Sequence, residues 1–182
     1  MKKNILVITG SPRRRGNSDV MCDHFTRGAQ GRGHIVSRFD AAADPVHGCK
    51  ACDACWSKGT ACVFNDGFTR LAPMLEQADA MVLASPLYWF GLSAQLKGAF
   101  DKVYSYMSPR RKTALEIKEA ALLICGEGDP VHFTGAVETY KHICEYLEWK
   151  DRGIVVAPHV NKKGDILGNK ALNEAEKLGS AF

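Results

Sequence analysis

No stretch of these 182 residues approaches the ~20 apolar positions of a membrane-spanning helix. The apolar run near the N-terminus is too short for a secretory leader and lacks a cleavage site. An excess of one charge is missing too. Lys and Arg number 24 against 20 Asp and Glu, and the resulting +4 falls short of the basic stripe of a nucleic-acid binder. The Walker A spacing is absent, because five residues separate Gly10 from Gly16 and Asn17 stands where its lysine belongs. No Gly-x-Gly-x-x-Gly follows the first apolar run; Gly31 and Gly33 come after a helical segment instead. There is no Gly-x-Ser-x-Gly elbow, and no pair among the six histidines has metal-ligand spacing on a helix. These gaps exclude a membrane protein, an NTP hydrolase, a fixed dinucleotide site in the first loop and an elbow-type hydrolase. Seven cysteines, an odd number with no leader, argue against a disulfide framework and for a reducing cytoplasm.

What remains has one rhythm. Strand candidates at 4–8, 34–39, 80–84, 119–124 and 153–157 alternate with helical patterns. The first helix starts near Ser18 with Met21, Phe25 and Ala29 on one face, and the second follows Asp66, a capping residue type, through Leu71, Met74 and Leu75. The third runs from Ser93 with Leu96, Phe100 and Val103, and the fourth follows Gly135 with Val137, Tyr140, Cys144 and Leu147. A short helix around Leu172 and Leu178 closes the chain. Such alternation implies an α/β fold, a doubly wound five-stranded parallel sheet in the order 2-1-3-4-5. With no repeat, linker or low-complexity tract, residues 1–182 read as one domain. Its ligand site is expected at the carboxyl ends of the strands.

Three loops have the right chemistry for that site. Ile5-Leu6-Val7-Ile8 drives into Thr9-Gly10-Ser11-Pro12-Arg13 and on to Gly16-Asn17-Ser18, where a helix begins. Amides, hydroxyls and a helix N-terminus favour an anion there, a mononucleotide phosphate held by Ser11, Arg13, Asn17 and Ser18. After the third strand comes Pro86-Leu87-Tyr88-Trp89-Phe90-Gly91, three adjacent aromatics in a loop that suit a flat apolar ligand or an interface. After the fourth comes Cys125-Gly126-Glu127-Gly128, whose glycines let bare backbone approach a ligand edge. A phosphate loop, an aromatic loop and a glycine loop around one crevice fit FMN better than AMP.

Thr9-Gly10-Ser11-Pro12-Arg13 through Gly16-Asn17-Ser18, with Pro86-Leu87-Tyr88-Trp89-Phe90-Gly91 and Ser93 to Lys97, resembles the flavodoxin-like NAD(P)H-dependent FMN reductases over roughly residues 3–160. The resemblance implies that Ser11, Arg13, Asn17 and Ser18 hold the FMN phosphate. It implies that residues 86–91 line the isoalloxazine and that 125–128 lie near its other edge. It further implies electron transfer from NAD(P)H through FMN to a small-molecule or protein acceptor, in a homodimer or homotetramer. Two other classes stand beside it: a non-enzymatic electron carrier and a zinc-stabilised binding module.

Within a loop at 47–66, Cys49, Cys52 and Cys55 recur at every third position and Cys62 follows. Four thiolates in one loop can wrap a compact polynuclear cluster, hold zinc, or act as redox-active thiols. The spacing is similar to that of the iron–sulfur flavoprotein branch of the same family, which implies a [4Fe–4S] cluster on Cys49, Cys52, Cys55 and Cys62 and admits a ferredoxin-like donor. Asn65-Asp66 stands where that family commonly has an acidic pair. Cys22, Cys125 and Cys144 fall in or beside regular elements and read as small core residues.

Overall fold

A computed structural model describes residues 1–182. Five parallel strands form one sheet in the order β2-β1-β3-β4-β5: β1 Asn4–Thr9, β2 Ile35–Asp40, β3 Ala80–Pro86, β4 Glu119–Cys125 and β5 Lys150–Ala157. The central strands are apolar throughout because both faces are covered, and alternate residues serve opposite cores. Leu6, Ile8, Leu83 and Leu122 pack with Phe68, Leu71, Leu96 and Tyr140 on one face. Ile5, Val7, Val82 and Leu123 pack with Met21, Phe25 and Leu172 on the other.

The first face is covered by α3 (Phe68–Glu76), α4 (Ala94–Asp101) and α5 (Thr134–Tyr146), the second by α1 (Asn17–Gly31) and α6 (Lys170–Ser180). Helices α1 and α6 approach so closely that a Cβ on Gly179 would lie 2.1 Å from the Phe25 carbonyl oxygen. Glycine is therefore required there.

Most element ends fall within two residues of the sequence expectation, and three differences go further. Strand β5 begins at Lys150 rather than 153, because its register against β4 shifts between Ala120 and Leu122 and takes in Gly153 at φ +140°. The helix expected through Val103 leaves α geometry after Asp101 and tightens into a 3₁₀ segment, Lys102–Met107, which carries Val103 and Tyr106 into the core. Inside the cysteine loop lies a five-residue helix, α2 (Ala54–Lys58), too short for a periodic pattern to reveal.

Candidate functional site

The exit of β1 is locked onto the start of α4. Ser93 Oγ donates to the Gly10 carbonyl at 2.8 Å and accepts the Leu96 amide at 3.3 Å, so one hydroxyl both caps a helix and fixes the loop. A Cβ on Gly10 would sit 2.3 Å from that hydroxyl, so the close approach needs glycine. Beyond Gly10 the chain enters α1, whose first-turn amides, those of Asn17 and Ser18 among them, have no carbonyl partner within the helix.

A crevice of about 200 Å³ opens at the carboxyl ends of the strands. One wall is polar and comes from Ser11, Arg13, Asn17 and Ser18. Facing it are Pro86, Leu87 and Tyr88 after β3 and Cys125, Gly126 and Glu127 after β4. Ten residues singled out in three separated segments of the sequence thus converge. The Ser18 hydroxyl lies 3.2 Å from Cys125 Sγ and ties the first loop to the third. Burial pushes the Cys125 thiol up to about 11, against the opposing pull of the Ser18 hydroxyl, so it stays protonated at neutral pH.

Trp89, Phe90, Gly91 and Gly128 do not line this crevice. Tyr88 and Gly91 close a tight turn through two backbone hydrogen bonds of 3.0 and 3.1 Å. Trp89 and Phe90 occupy its two central positions with φ of +46° and +63°. Both therefore sit in the left-handed region demanded by a type I′ turn, which Asn and Gly normally fill. Trp89 is 95% exposed, and the Phe90 ring leans on His132 at 5.7 Å. Core packing does not explain these aromatics.

Sequence reading overlooked a fourth wall, Val160 and Asn161, in the loop after β5. This loop is strapped to the phosphate loop. Arg13 Nη1 donates to the Asn161 carbonyl at 2.7 Å, Asn17 Nδ2 donates to the Lys162 carbonyl at 2.8 Å, and the Gly164 amide donates to Asn17 Oδ1 at 3.0 Å. The Asn17 side chain thus holds protein at both ends, and Arg13 keeps part of its guanidinium free. Only the run Asn161 to Asp165, rich in turn formers, could have hinted at this loop.

The four loop cysteines border one small cavity together with Lys50, Phe64, Lys102 and Tyr104. All are free thiols. Burial pushes the Cys55 thiol up, and the neighbouring Cys62 and Cys49 add to that shift. No three of the sulfurs converge to metal-coordinating geometry. The donor set nonetheless suits a thiophilic centre: four thiols on one wall, with no disulfide among them. Trp56 of α2 stacks on Tyr104 at 5.1 Å and pins the loop to the 3₁₀ segment.

Residues 3–161 match the family described as NADPH-dependent FMN reductase. The chain belongs to that family. As a member it is an FMN-dependent oxidoreductase, an enzyme rather than a non-enzymatic carrier or a binding module. Its sequence is 29% identical over 178 residues to an iron–sulfur flavoprotein of Archaeoglobus fulgidus, covering 95% of this chain and 76% of that one. In fold it is similar to an NAD(P)H:quinone oxidoreductase from Methanothermobacter marburgensis, with a TM-score of 0.76 at 19% identity over 99% and 96% of the two chains. An FMN-dependent NADH-azoreductase from Bacillus anthracis, solved with FMN, gives a TM-score of 0.70 at 18% identity over 99% and 98%. Those two likenesses speak for the flavodoxin-like fold alone. No helix of this FMN reductase is long and apolar enough to cross a membrane.

Proposed function

We propose that this FMN reductase holds its cofactor in the crevice at the strand carboxyl ends and passes electrons from NAD(P)H to a small-molecule or protein acceptor. The observation that carries the reading is the meeting of a phosphate-type loop, an apolar loop and a glycine loop in one crevice. Ser11, the first-turn amides of Asn17 and Ser18, and the free part of the Arg13 guanidinium would hold the phosphate. Asn17 serves chiefly as the clasp of the 161–164 loop. Pro86, Leu87 and Tyr88 offer one flank for the isoalloxazine, and Cys125, Gly126 and Glu127 the opposite edge.

Bound FMN supplies two-electron acceptance from a nicotinamide and delivery to an acceptor. The protein positions it, excludes water from its edge and leaves the mouth open for donor and acceptor in turn. Trp89 and Phe90 are exposed in the turn that follows the crevice-lining Tyr88, and a second copy of the chain in a homodimer or homotetramer would cover them together with Gly91. We assign the cysteine loop at 47–66 to a [4Fe–4S] cluster on Cys49, Cys52, Cys55 and Cys62. Such a cluster supplies one-electron steps and makes a ferredoxin-like donor the alternative to NAD(P)H. Oxygen-sensitive thiolate ligation suits a reducing cytoplasm.

Titrating apoprotein with FMN and bleaching the bound flavin anaerobically with NADPH tests the first part. One tightly bound FMN per chain and rapid bleaching are expected; a colourless protein that ignores FMN overturns it. Iron and acid-labile sulfide after anaerobic reconstitution, wild type against Cys52→Ala, test the second. Stoichiometric FMN without iron or sulfide in the wild type would leave a simple FMN reductase.

A further inference from the structure

A single carboxylate closes the neck of the cysteine loop. Asp66 Oδ2 accepts the His47 amide at 3.0 Å, and its Oδ1 accepts the Phe68 amide at 2.9 Å, so the last residue of the loop ties its first residue to the start of α3. Lys102, the first residue after α4, donates from Nζ to Asp66 Oδ2 at 2.5 Å. Both side chains are almost fully buried, at 3% and 4% exposure. The ammonium also lies 5.8 Å from the centroid of the Phe68 ring, and Lys102 forms part of the wall that encloses the four cysteines.

Such a pair is a poor device for stability. Desolvating two charges costs about as much as their attraction returns, and an apolar pair of similar volume would serve the fold as well or better. A fixed positive charge beside the thiols has another use. Four thiolates around a [4Fe–4S] core of charge +2, or around one divalent cation, carry a net charge of about −2, and a buried ammonium on the same wall offsets part of it. Metal sites depend on outer groups that orient and neutralise their ligands.

We propose that Lys102 is the positioning and charge-compensating residue of the cysteine site, acting on the loop through Asp66. This rests on the reading of the loop as a metal site. In this arrangement Asp66 gathers the loop ends, and the ammonium faces the negative charge that builds up when the thiols ligate.

The test uses Co(II), titrated anaerobically into the full-length protein with bound FMN and followed by thiolate-to-cobalt charge-transfer absorption. Flavin absorbance reports that the fold is intact. The variants are Lys102→Arg and the double variant Lys102→Met with Asp66→Asn, which removes both charges together and leaves no unpaired buried ion. The arginine variant is expected to bind cobalt as the wild type does. The double variant is expected to keep its FMN and to bind cobalt at least about tenfold more weakly, the usual cost of losing an outer-shell group. A purely structural pair predicts wild-type cobalt affinity in the double variant, and that result overturns the proposal. If the wild type shows no charge-transfer band, the same variants are compared by the iron and sulfide retained on anaerobic reconstitution, and a wild type that retains neither refutes the metal site itself and the proposal with it.

Discussion

Asn17 and Gly164, 147 residues apart, are joined at the crevice: the Gly164 amide donates to Asn17 Oδ1 at 3.0 Å. The same side chain donates to the Lys162 carbonyl at 2.8 Å, so one amide group satisfies two backbone sites of a loop without regular structure. The first loop and the last strand's loop are thereby joined by side-chain-to-backbone hydrogen bonds. Asn17→Ala should release the 161–164 segment and weaken FMN binding by about 1–3 kcal/mol, the cost of stranding hydrogen-bonding groups. Flavin fluorescence quenching measures it. An unchanged dissociation constant would separate this clasp from cofactor binding.

Arg13→Ala should weaken FMN by about 1.5–3 kcal/mol through loss of a charge-assisted hydrogen bond. Its signature differs from that of Asn17→Ala. The arginine variant should lose most of the salt dependence of FMN binding, whereas the asparagine variant should keep it. Titrations at low and high ionic strength tell the two apart, and equal salt slopes in both would move the phosphate away from Arg13.

The turn at 88–91 carries two aromatics where Asn-Gly is favoured, with both central residues at positive φ. Each costs of order 1 kcal/mol or more in backbone strain. Replacing Trp89 with Asn and Phe90 with Gly should therefore raise the melting temperature by several degrees. It should also lower turnover if these rings cover the flavin mouth. A fall in melting temperature would mean that the exposed rings contribute stability after all.

The seven thiols divide by burial. Cys22 is pushed up to about 12 by burial, Cys125 to about 11, and Cys144 upward for the same reason. Cys49 and Cys52 are exposed, and Cys55 and Cys62 are half-buried. An aromatic disulfide reagent at pH 8 should modify only the four loop cysteines of the metal-free native protein, with Cys55 slower than Cys49 and Cys52, and all seven after denaturation. Fast modification of Cys125 would contradict the closed floor of the crevice.

Burial alone would raise the Asp66 carboxyl, but hydrogen bonds from Lys102 and from the Phe68 and His47 amides outweigh it and hold it below the usual 3.8. A depressed carboxyl contributes stability above its unfolded value and loses it as pH falls through the folded one. The urea midpoint of the wild type should therefore drop more steeply below pH 3.8 than that of Asp66→Asn. Parallel pH profiles would show that the Asp66 carboxyl is not depressed in the folded protein.

Periodicity and local chemistry were enough for the sheet. A strand such as Ile5–Ile8, apolar without alternation, suits the covered interior of a parallel sheet, and the helical stripes between strands leave a handful of topologies, among them the observed β2-β1-β3-β4-β5. That topology placed the loops after β1, β3 and β4 at one end, which is why ten crevice residues were legible before any coordinates. The tertiary structure decided the rest. Whether Trp89 and Phe90 point into the crevice depends on a turn type that their side chains disfavour, so no propensity could reveal it. The Asn161 wall is held by backbone carbonyls bonded to side chains nearly 150 positions away, a contact with no local signature. The Asp66–Lys102 pair likewise joins a loop to a helix end, where sequence offers only two charged residues among many. Local patterns specify elements because they act over a few residues; clasps between loops arise only when the fold has brought distant segments within hydrogen-bonding reach.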